Sequence, residues 1–386
     1  MKLPYLLFLV LFSSGIFAQN LEFSVIVKDV ETGLVIDEVN ITALKTKQAF
    51  LTNKNGEANI NLKSESDLKF ENISFKPYTV KFADLNKKIN EIYLESNAKR
   101  LEEVILTNVP PQEILKTLVA NSLQKLTIPV NLKVYMREFY RKNNENVFFN
   151  DGLLNFQIFG KINSLKTDIL VEQNRAMGLL DQDIKDELLG YDLNNILENY
   201  YQFKYIDEIL SSSAKKKYDF SIKTFPSNED YLVLRVTPLD TANGVLSDFT
   251  IIYDSNKMLI LEVGSVVPDS RLEDLRKSFA NSNKVFKLEF KNTFKTDNNL
   301  YYLANSKEVI GFEKKYKKQS RRIEVNNQMV ITNFSDVLLK YNDNNVFKEK
   351  SLINRKTEFY NNFWDLESGF LSTKEEKDII DKLSHL

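Results

Sequence analysis

Residues 218 to 263 constrain the fold of this chain most strongly, because apolar and polar side chains alternate there between short polar turns. Tyr218, Phe220 and Ile222 share one face of the first run, a period of two that is typical of a half-buried β-strand. Three similar runs follow: Leu232, Leu234 and Val236 in the second, Phe249 to Tyr253 in the third, and Leu259, Leu261 and Val263 in the fourth. The stretch is therefore predicted to be an antiparallel β-meander.

Residues 1–18 have the pattern of a secretory signal peptide. Met1-Lys2 gives a positive start, Leu3 to Phe12 is an apolar run, and small residues lead to Ala18. The apolar run is shorter than the roughly 20 residues that span a bilayer, which disfavours a membrane anchor. We expect cleavage after Ala18 and export. No transmembrane segment is predicted after it, because the later apolar stretches are short and interrupted.

Composition narrows the class of protein further. The chain contains no cysteine, so an exported form is stabilised by its core without disulfides. Its 386 residues, 43% of them hydrophobic, are ample for such a core, and the length predicts two or three domains. The 52 basic and 53 acidic residues nearly balance, which argues against nucleic acid as a partner.

The segment from Phe23 to Leu94 alternates in about seven short runs, with a hairpin signal at Asn53-Lys54-Asn55-Gly56. It is predicted to be a small β-sandwich occupying residues 19–95. Val109-Pro110-Pro111 marks a linker over 96–111, and a helix is expected from Gln112, with Leu115, Leu118 and Val119 on its apolar face.

One resemblance runs through this first segment. Its motifs, in order, are Val27-Lys28-Asp29, Thr32-Gly33, Val39-Asn40-Ile41, Thr52 to Glu57, Leu68-Lys69-Phe70 and Ser74-Phe75 to Tyr78. They resemble the carboxypeptidase-regulatory-like domain, a prealbumin-like sandwich attached to many envelope proteins of Bacteroidota. The resemblance implies an accessory domain without catalytic residues. It also implies a location in the periplasm or at the periphery of the outer membrane.

The remainder is predicted to form a second, larger domain at 112–345, followed by a C-terminal tail at 346–386. The fold class is mainly β: a prealbumin-like sandwich plus a larger curved antiparallel sheet of nine to eleven strands, packed on one or more helices. Further expected elements are an insertion at 181–217, a helix at 271–280, a hairpin at 284–312, and strands at 322–334 and 337–341. Phe359 to Trp364 is expected to dock as an aromatic plug.

The search for catalytic groups favours a protein that is not an enzyme. Histidine occurs only at His385, whereas a Ser-His-Asp triad or a histidine zinc site needs one inside the fold. No cofactor or metal site is predicted. Acidic candidates are Glu102-Glu103, Asp181 with Asp183, Glu375-Glu376, Asp254 and Asp269. We interpret the pairs as surface or linker residues. The alternative, a hydrolase using carboxylates alone, requires two acids about 5–10 Å apart in a cleft.

A basic run is the first candidate binding feature. It comprises Lys314, Lys315, Lys317, Lys318, Arg321 and Arg322. The simpler interpretation is an exposed hairpin end kept soluble by its charge. The sharper one is contact with lipopolysaccharide or phospholipid headgroups.

The second candidate is the apolar face of the large sheet. Its expected lining is Phe220, Leu232, Leu234, Leu259, Leu261, Phe286, Leu288 and Phe290. If the helix, the insertion and the tail fill this face, the protein is a binding or scaffolding protein of the cell envelope. If they leave a gap, it is a carrier of a lipophilic ligand. The filled core is preferred, and the expected partners are envelope proteins or lipid or glycan components.

Overall fold

A computed structural model describes residues 21–85, 88–96, 102–162, 164–180, 192–193, 201–244, 246–272, 283–297, 300–316, 319–355, 357 and 368–385. The predicted signal peptide, most of the predicted helix at 271–280, much of the insertion at 181–217 and the predicted plug at 359–364 lie outside these residues.

The N-terminal body, residues 21–94, is a sandwich of two small sheets. Its strands are β1 (Leu21–Asp29), β2 (Asn40–Ala43), β3 (Ala49–Leu51), β4 (Glu57–Leu62), β5 (Leu68–Glu71), β6 (Tyr78–Val80) and β7 (Ile89–Leu94). One sheet has the order β4-β1-β7 and the other β3-β2-β5-β6. Alternate residues such as Val25, Val27, Ile41, Ile60 and Phe70 fill the space between them, as the alternation predicts.

A ten-stranded antiparallel sheet makes up the larger part of the described residues. Its strands are β8 (Val130–Lys142), β9 (Glu145–Lys161), β10 (Ser164–Gly178), β11 (Tyr218–Thr224), β12 (Tyr231–Pro238), β13 (Asp248–Asp254), β14 (Leu259–Val266), β15 (Asn283–Asp297), β16 (Leu300–Tyr316) and β17 (Gln319–Ser335). Their order is β10-β9-β8-β17-β16-β15-β14-β13-β12-β11. The predicted meander forms β11 to β14, and the mainly β fold class is confirmed.

The strand predicted at 337–341 does not form. The chain leaves the sheet after Ser335, and Val337 is 69% exposed. The backbone amide of Leu339 instead donates to the side chain of Gln157 at 2.7 Å. These residues have no neighbouring strand with which to exchange backbone hydrogen bonds, so their alternation alone does not produce a strand.

One face of the sheet, here called the inner face, carries the main core. Helix α1 (Pro111–Lys125) lies on it and buries Leu115 and Leu118 completely. Two prolines open this helix and Pro129 follows it, in agreement with the sequence prediction. Residues 201–217, which include the short helix α2 (Asp207–Leu210), add Phe203, Ile206 and Ile209 to the same core.

Polar contacts fix these covering elements in place. The side-chain amide of Gln112 donates to the carbonyl oxygens of Ile209 and Ser211 at 3.0 and 2.7 Å. The hydroxyl of Ser122 accepts the backbone amide of Ile260 at 3.0 Å. The inner face of the meander is thus closed by specific packing.

The opposite, outer face is covered by the N-terminal body and by a C-terminal segment, residues 368–384. The body joins β17 through the bridge between Gln48 and Asn333. Leu51 and Phe370 contribute to an apolar cluster on this face, whose other members are Tyr135, Leu153 and Val330. Because both faces are covered, β9 is buried at every residue from Phe148 to Ile158.

The C-terminal segment ends in helix α3 (Lys374–Ser384), which a capping box begins. The Thr373 hydroxyl accepts the backbone amide of Glu376, and the Glu376 carboxylate accepts the backbone amide of Thr373. Ile380 and Leu383 then pack on Phe139 and Phe149. This helix therefore holds its position through one apolar stripe on the outer face.

Part of the predicted linker pairs with the edge strand β11 through an isolated bridge between Val104 and Lys223. The backbone amide of Thr224 donates to the carbonyl of Glu103, and that of Ile105 donates to the carbonyl of Ile222. Residues 103–105 therefore cover part of an edge that would otherwise be unpaired.

Candidate functional site

One row of side chains crosses the outer face at a single register level. From β10 to β12 it contains Arg175, Asp151, Arg137, Gln328, Lys307, Lys291, Gly264, Thr250 and Arg235. Directly paired residues point to the same face, so these side chains form one continuous outer row. Five of the nine are basic and one is acidic, so any part that covers the row must supply carboxylates.

The C-terminal segment supplies one of them. Glu376 of α3 accepts from both terminal nitrogens of Arg137, at 3.2 and 3.0 Å. Gln328 accepts two further bonds from the same guanidinium, at 3.1 and 2.8 Å. The guanidinium carbon also lies 4.1 Å from the centre of the Phe370 ring. Arg137 is thus nearly buried but has a partner on every side.

The N-terminal body supplies the second carboxylate. Glu38 lies 2.8 Å from the ammonium nitrogen of Lys291 and 3.8 Å from that of Lys307. Burial works to raise the pKa of Glu38, but the two lysines outweigh it and hold that pKa below its ordinary value. Glu262 approaches Lys291 at 3.2 Å from the other side. Burial raises the pKa of Glu262, and Lys291 only partly opposes this.

Two more ion pairs lie on the outer face, one in the row and one beside it. Glu102, in the predicted linker, binds Arg235 of the row at 2.8 Å. Lys295, also in β15 and four residues after Lys291, is buried. It contacts Thr42 and lies 3.1 Å from Glu71 of the N-terminal body. The body is therefore attached to the sheet by charge pairs as well as by the apolar cluster.

A cleft of about 370 Å³ opens where the N-terminal body, the outer face and α3 meet. On the sheet it is lined by Arg137, Phe139, Arg141, Asn146, Lys307, Asn326, Asn327 and Gln328. One wall consists of Asp37, Glu38 and residues 52–55. The other wall consists of Phe370, Thr373, Lys374, Glu375, Glu376 and Ile379. We call this space the junction cleft. Its lining is mainly polar.

Two further cavities, also of about 370 Å³ each, adjoin the same cluster of charges. One lies between the N-terminal body and the meander and shares Glu38 with the junction cleft. The other lies along β13 to β16 and shares Lys307 with it. Lys291 lines both of these additional cavities. The ion pairs that Glu38 makes with Lys291 and Lys307 therefore lie between three neighbouring cavities.

The structure separates the residues predicted to line one apolar pocket. Leu234 and Leu259 are buried in the main core, and Phe220, Leu232 and Phe290 pack against it. Leu261 differs, because the register shifts opposite Ile252 and Tyr253. This bulge places Leu261 in the cavity that faces the N-terminal body.

The last two predicted lining residues lie away from the main core. Leu288 packs against a small cluster formed by Val267 and Leu272. Phe286 is the extra residue of a bulge between Val285 and Lys287, and its ring lies 3.8 Å from the guanidinium carbon of Arg322. The predicted set is thus divided among four places.

The predicted basic run falls at the hairpin between β16 and β17. Lys314 pairs with Arg321 through the backbone, and Lys315 is also in β16. Lys317 and Lys318 lie outside the described residues. Arg322 is exposed and lies over Phe286. The proposed contact with headgroups remains a prediction.

The acidic candidates are dispersed where they are described. Glu102 has its pKa held down by Lys223 and Arg235, although burial opposes them. Asp254 accepts two backbone amides of the turn that follows β13. Asp269 is exposed, and Glu375 lies on a cleft wall. Asp181 and Asp183 lie outside the described residues.

The described residues contain neither a candidate metal site nor a candidate membrane-spanning helix. They contain no group of three or more histidine, cysteine, aspartate or glutamate side chains placed to hold a metal ion. No helix in this part of the chain has the length and apolar character to span a membrane.

No family model matches the sequence, and no curated protein matches it. Several solved structures show a distant likeness. A DUF1329 family protein from Desulfovibrio piger is 10% identical, with 58% of this chain and 94% of that chain covered and a TM-score of 0.27. A LolA superfamily protein from Nitrosomonas europaea is 11% identical, with 62% and 98% covered and a TM-score of 0.22. Lipovitellin is 10% identical, with 61% and 28% covered and a TM-score of 0.27. Scores this low carry no argument about function.

Proposed function

We propose that this chain is a non-enzymatic binding or scaffolding protein of the cell envelope, exported by residues 1–18. Its N-terminal body would be a carboxypeptidase-regulatory-like accessory domain, a proposal supported by its motifs and by its two-sheet sandwich. The observation that carries the proposal is the packing of the inner face, which the protein fills with its own side chains.

A carrier of a lipophilic ligand needs an apolar space that the protein leaves open. On the inner face, α1 and residues 201–214 occupy the place where such a space would lie. Tyr301 lies fully buried beneath α1, and its hydroxyl donates to the carbonyl of Ile260 at 2.7 Å. Burying each large apolar side chain contributes about 1.5–3 kcal/mol, so emptying this core for a ligand would be costly.

The open surface lies on the other side of the sheet. There the N-terminal body and α3 stand on the outer row and leave the junction cleft between them. Three parts of the chain contribute to its lining, which favours a role in holding a polar partner.

A titration with a lipophilic fluorescent dye tests the central claim. The folded protein should show only weak, non-saturating binding, because its inner face is filled. Tight saturable binding at one site would contradict the proposal and favour the carrier.

The location is tested separately by terminal sequencing of protein from a native envelope fraction. We expect a mature chain that begins at Gln19. Recovery of intact Met1 from the cytoplasmic fraction would contradict export.

A further inference from the structure

The junction cleft combines charged groups, of which the buried and half-buried ones are already paired, with amide groups that are not. We infer that it binds a neutral, polyhydroxylated ligand, that is, a saccharide. The inference rests on the proposed function, because it names the class of ligand that the binding protein would hold.

Charge gives the first part of the argument. Five basic and four acidic side chains line the cleft, so neither sign dominates. The four of these that are buried or half-buried are already paired: Arg137 with Glu376, Glu38 with Lys291, and Arg141 with Glu324 at 3.4 Å. A charged ligand would have to compete with these pairs, whereas a neutral ligand would not.

The amides give the second part. An arginine side chain only donates hydrogen bonds, so the two bonds from Arg137 require the oxygen of Gln328 to face it. The amino group of Gln328 is then directed away from Arg137. Within the described residues, the side-chain amides of Asn55 and Asn146 have no hydrogen-bond partner, and both line the cleft.

Such a lining offers donors and acceptors with nearly balanced charge. A sugar hydroxyl both donates and accepts, so it matches an amide more completely than a phosphate or an ammonium group does. The volume of about 370 Å³ lies within the range of small-molecule sites. Phe139 and Phe370 are almost wholly buried and Ile379 is partly buried, so the three contribute apolar edges, which suit the C–H face of a sugar better than a lipid chain.

Isothermal titration of the full chain with three neutral disaccharides, maltose, cellobiose and chitobiose, tests the inference. At least one should bind saturably. The double variant Asn55→Ala/Asn146→Ala should weaken that binding about tenfold, a change of ~1.4 kcal/mol. The matched control, Asn345→Ala, alters an exposed amide outside the cleft and should leave binding unchanged.

Inorganic phosphate and phosphatidylglycerol vesicles serve as competing probes. The inference is overturned if none of the disaccharides binds, if the double variant binds them as the parent does, or if phosphate or vesicles bind in a manner that the double variant abolishes. If the disaccharides fail to bind and the dye also shows no saturable binding, only the proposed class of ligand is excluded. A saturable dye site would instead remove the proposed function itself.

Discussion

The N-terminal body and the centre of the large sheet are both β-structure, but they differ in how many faces each strand buries. In the body, β4 and β7 alternate strictly between buried and more exposed residues. In the large sheet, β9 is buried at eleven consecutive residues. Alternating burial therefore indicates a strand with one solvent-exposed face. Continuous burial indicates a strand whose second face is covered by another part of the chain.

The two regions also bury different chemistry. The buried polar side chains described in the body are all uncharged: Thr42, Thr52, Asn53, Ser66 and Asn90. The central strands bury Arg137, Glu138, Asn150 and Asp151 as well as apolar residues. Asp151, which is wholly buried, is bound by Arg175 at 2.9 Å and by the Tyr135 hydroxyl at 3.0 Å. Polar groups are retained here because the second face is an interface between parts of the chain.

The largest expected effect comes from the inner face of the central strands. Phe156→Ala should lower the free energy of unfolding by about 3–5 kcal/mol, because its side chain is buried in the main core. Urea unfolding followed by circular dichroism measures this. Val337→Ala, at an exposed site, is the control and should change stability by less than about 0.5 kcal/mol.

The same measurement on Phe70→Ala decides whether the N-terminal body unfolds by itself. Docking on the outer face predicts a single transition that shifts as a whole. A separate early transition, with the large sheet intact, would show the independent folding that the linker in the sequence suggests.

A smaller loss is expected when the carboxylate beside Arg137 is removed. Glu376→Ala should cost about 2 kcal/mol, because it leaves a guanidinium that is only 6% exposed without its charged partner and also removes the capping box of α3. Glu375→Ala, one residue earlier and exposed, is the matched control and should be nearly neutral. Hydrogen exchange should show that only the first variant opens α3. Equal protection in both variants would mean that the apolar stripe alone holds the helix.

Gly369 tests the fit between the body and the sheet. Its φ is +65°, and an added Cβ would lie 2.7 Å from a Thr332 methyl carbon and 2.8 Å from the carbonyl oxygen of Ala49. Gly33 has a φ of +70° but open space around it, so Gly33→Ala isolates the backbone strain. Thermal unfolding should show Gly369→Ala to be less stable than Gly33→Ala by roughly 1 kcal/mol or more. If the two variants lose equal stability, the atoms around Gly369 adjust to the added Cβ at little cost.

The smallest effect concerns pH. Because the pKa of Glu38 is lowered from 4.5 in the folded state, its pairing adds stability that is fully present above that pH. This part is lost as pH falls through the lowered pKa. Glu38→Gln should therefore flatten the acid side of the stability curve by less than about 1 kcal/mol. Glu65→Gln, at an exposed site, should leave the curve unchanged. If stability depends on pH in Glu38→Gln as it does in the parent protein, the charge pair does not contribute to the pH dependence.

Local patterns in the sequence predicted the strands of the N-terminal body, the meander and α1, because each of these elements has one apolar face. The strand at 337–341 was wrong because alternation alone does not supply a neighbouring strand. Leu261 was placed on the other face because a one-residue bulge reverses orientation, and no residue type marks that bulge.

The junction cleft was beyond sequence reasoning for a different reason. Arg137, Gln328 and Lys307 come from β8, β17 and β16, and only the pairing of strands distant in sequence places them side by side. The sequence holds part of the signal for this cleft. β8 and β9 are mostly apolar, yet they carry polar residues on both faces. Such residues point to a buried second face, but they do not identify what covers it.

The bond between Leu51 and Gly369 has a consequence for the order of assembly. The backbone amide of Leu51, in the third strand of the protein, donates to the carbonyl of Gly369, far along the chain. The N-terminal body is synthesised early, yet its seat on the sheet is completed only when residues 368–384 arrive. Until then, the cluster around Tyr135 and Val330 lacks its aromatic neighbour Phe370. The contacts of the body with β15 and β17 can therefore form first, and its apolar contact with the sheet is completed last, when the whole chain is present.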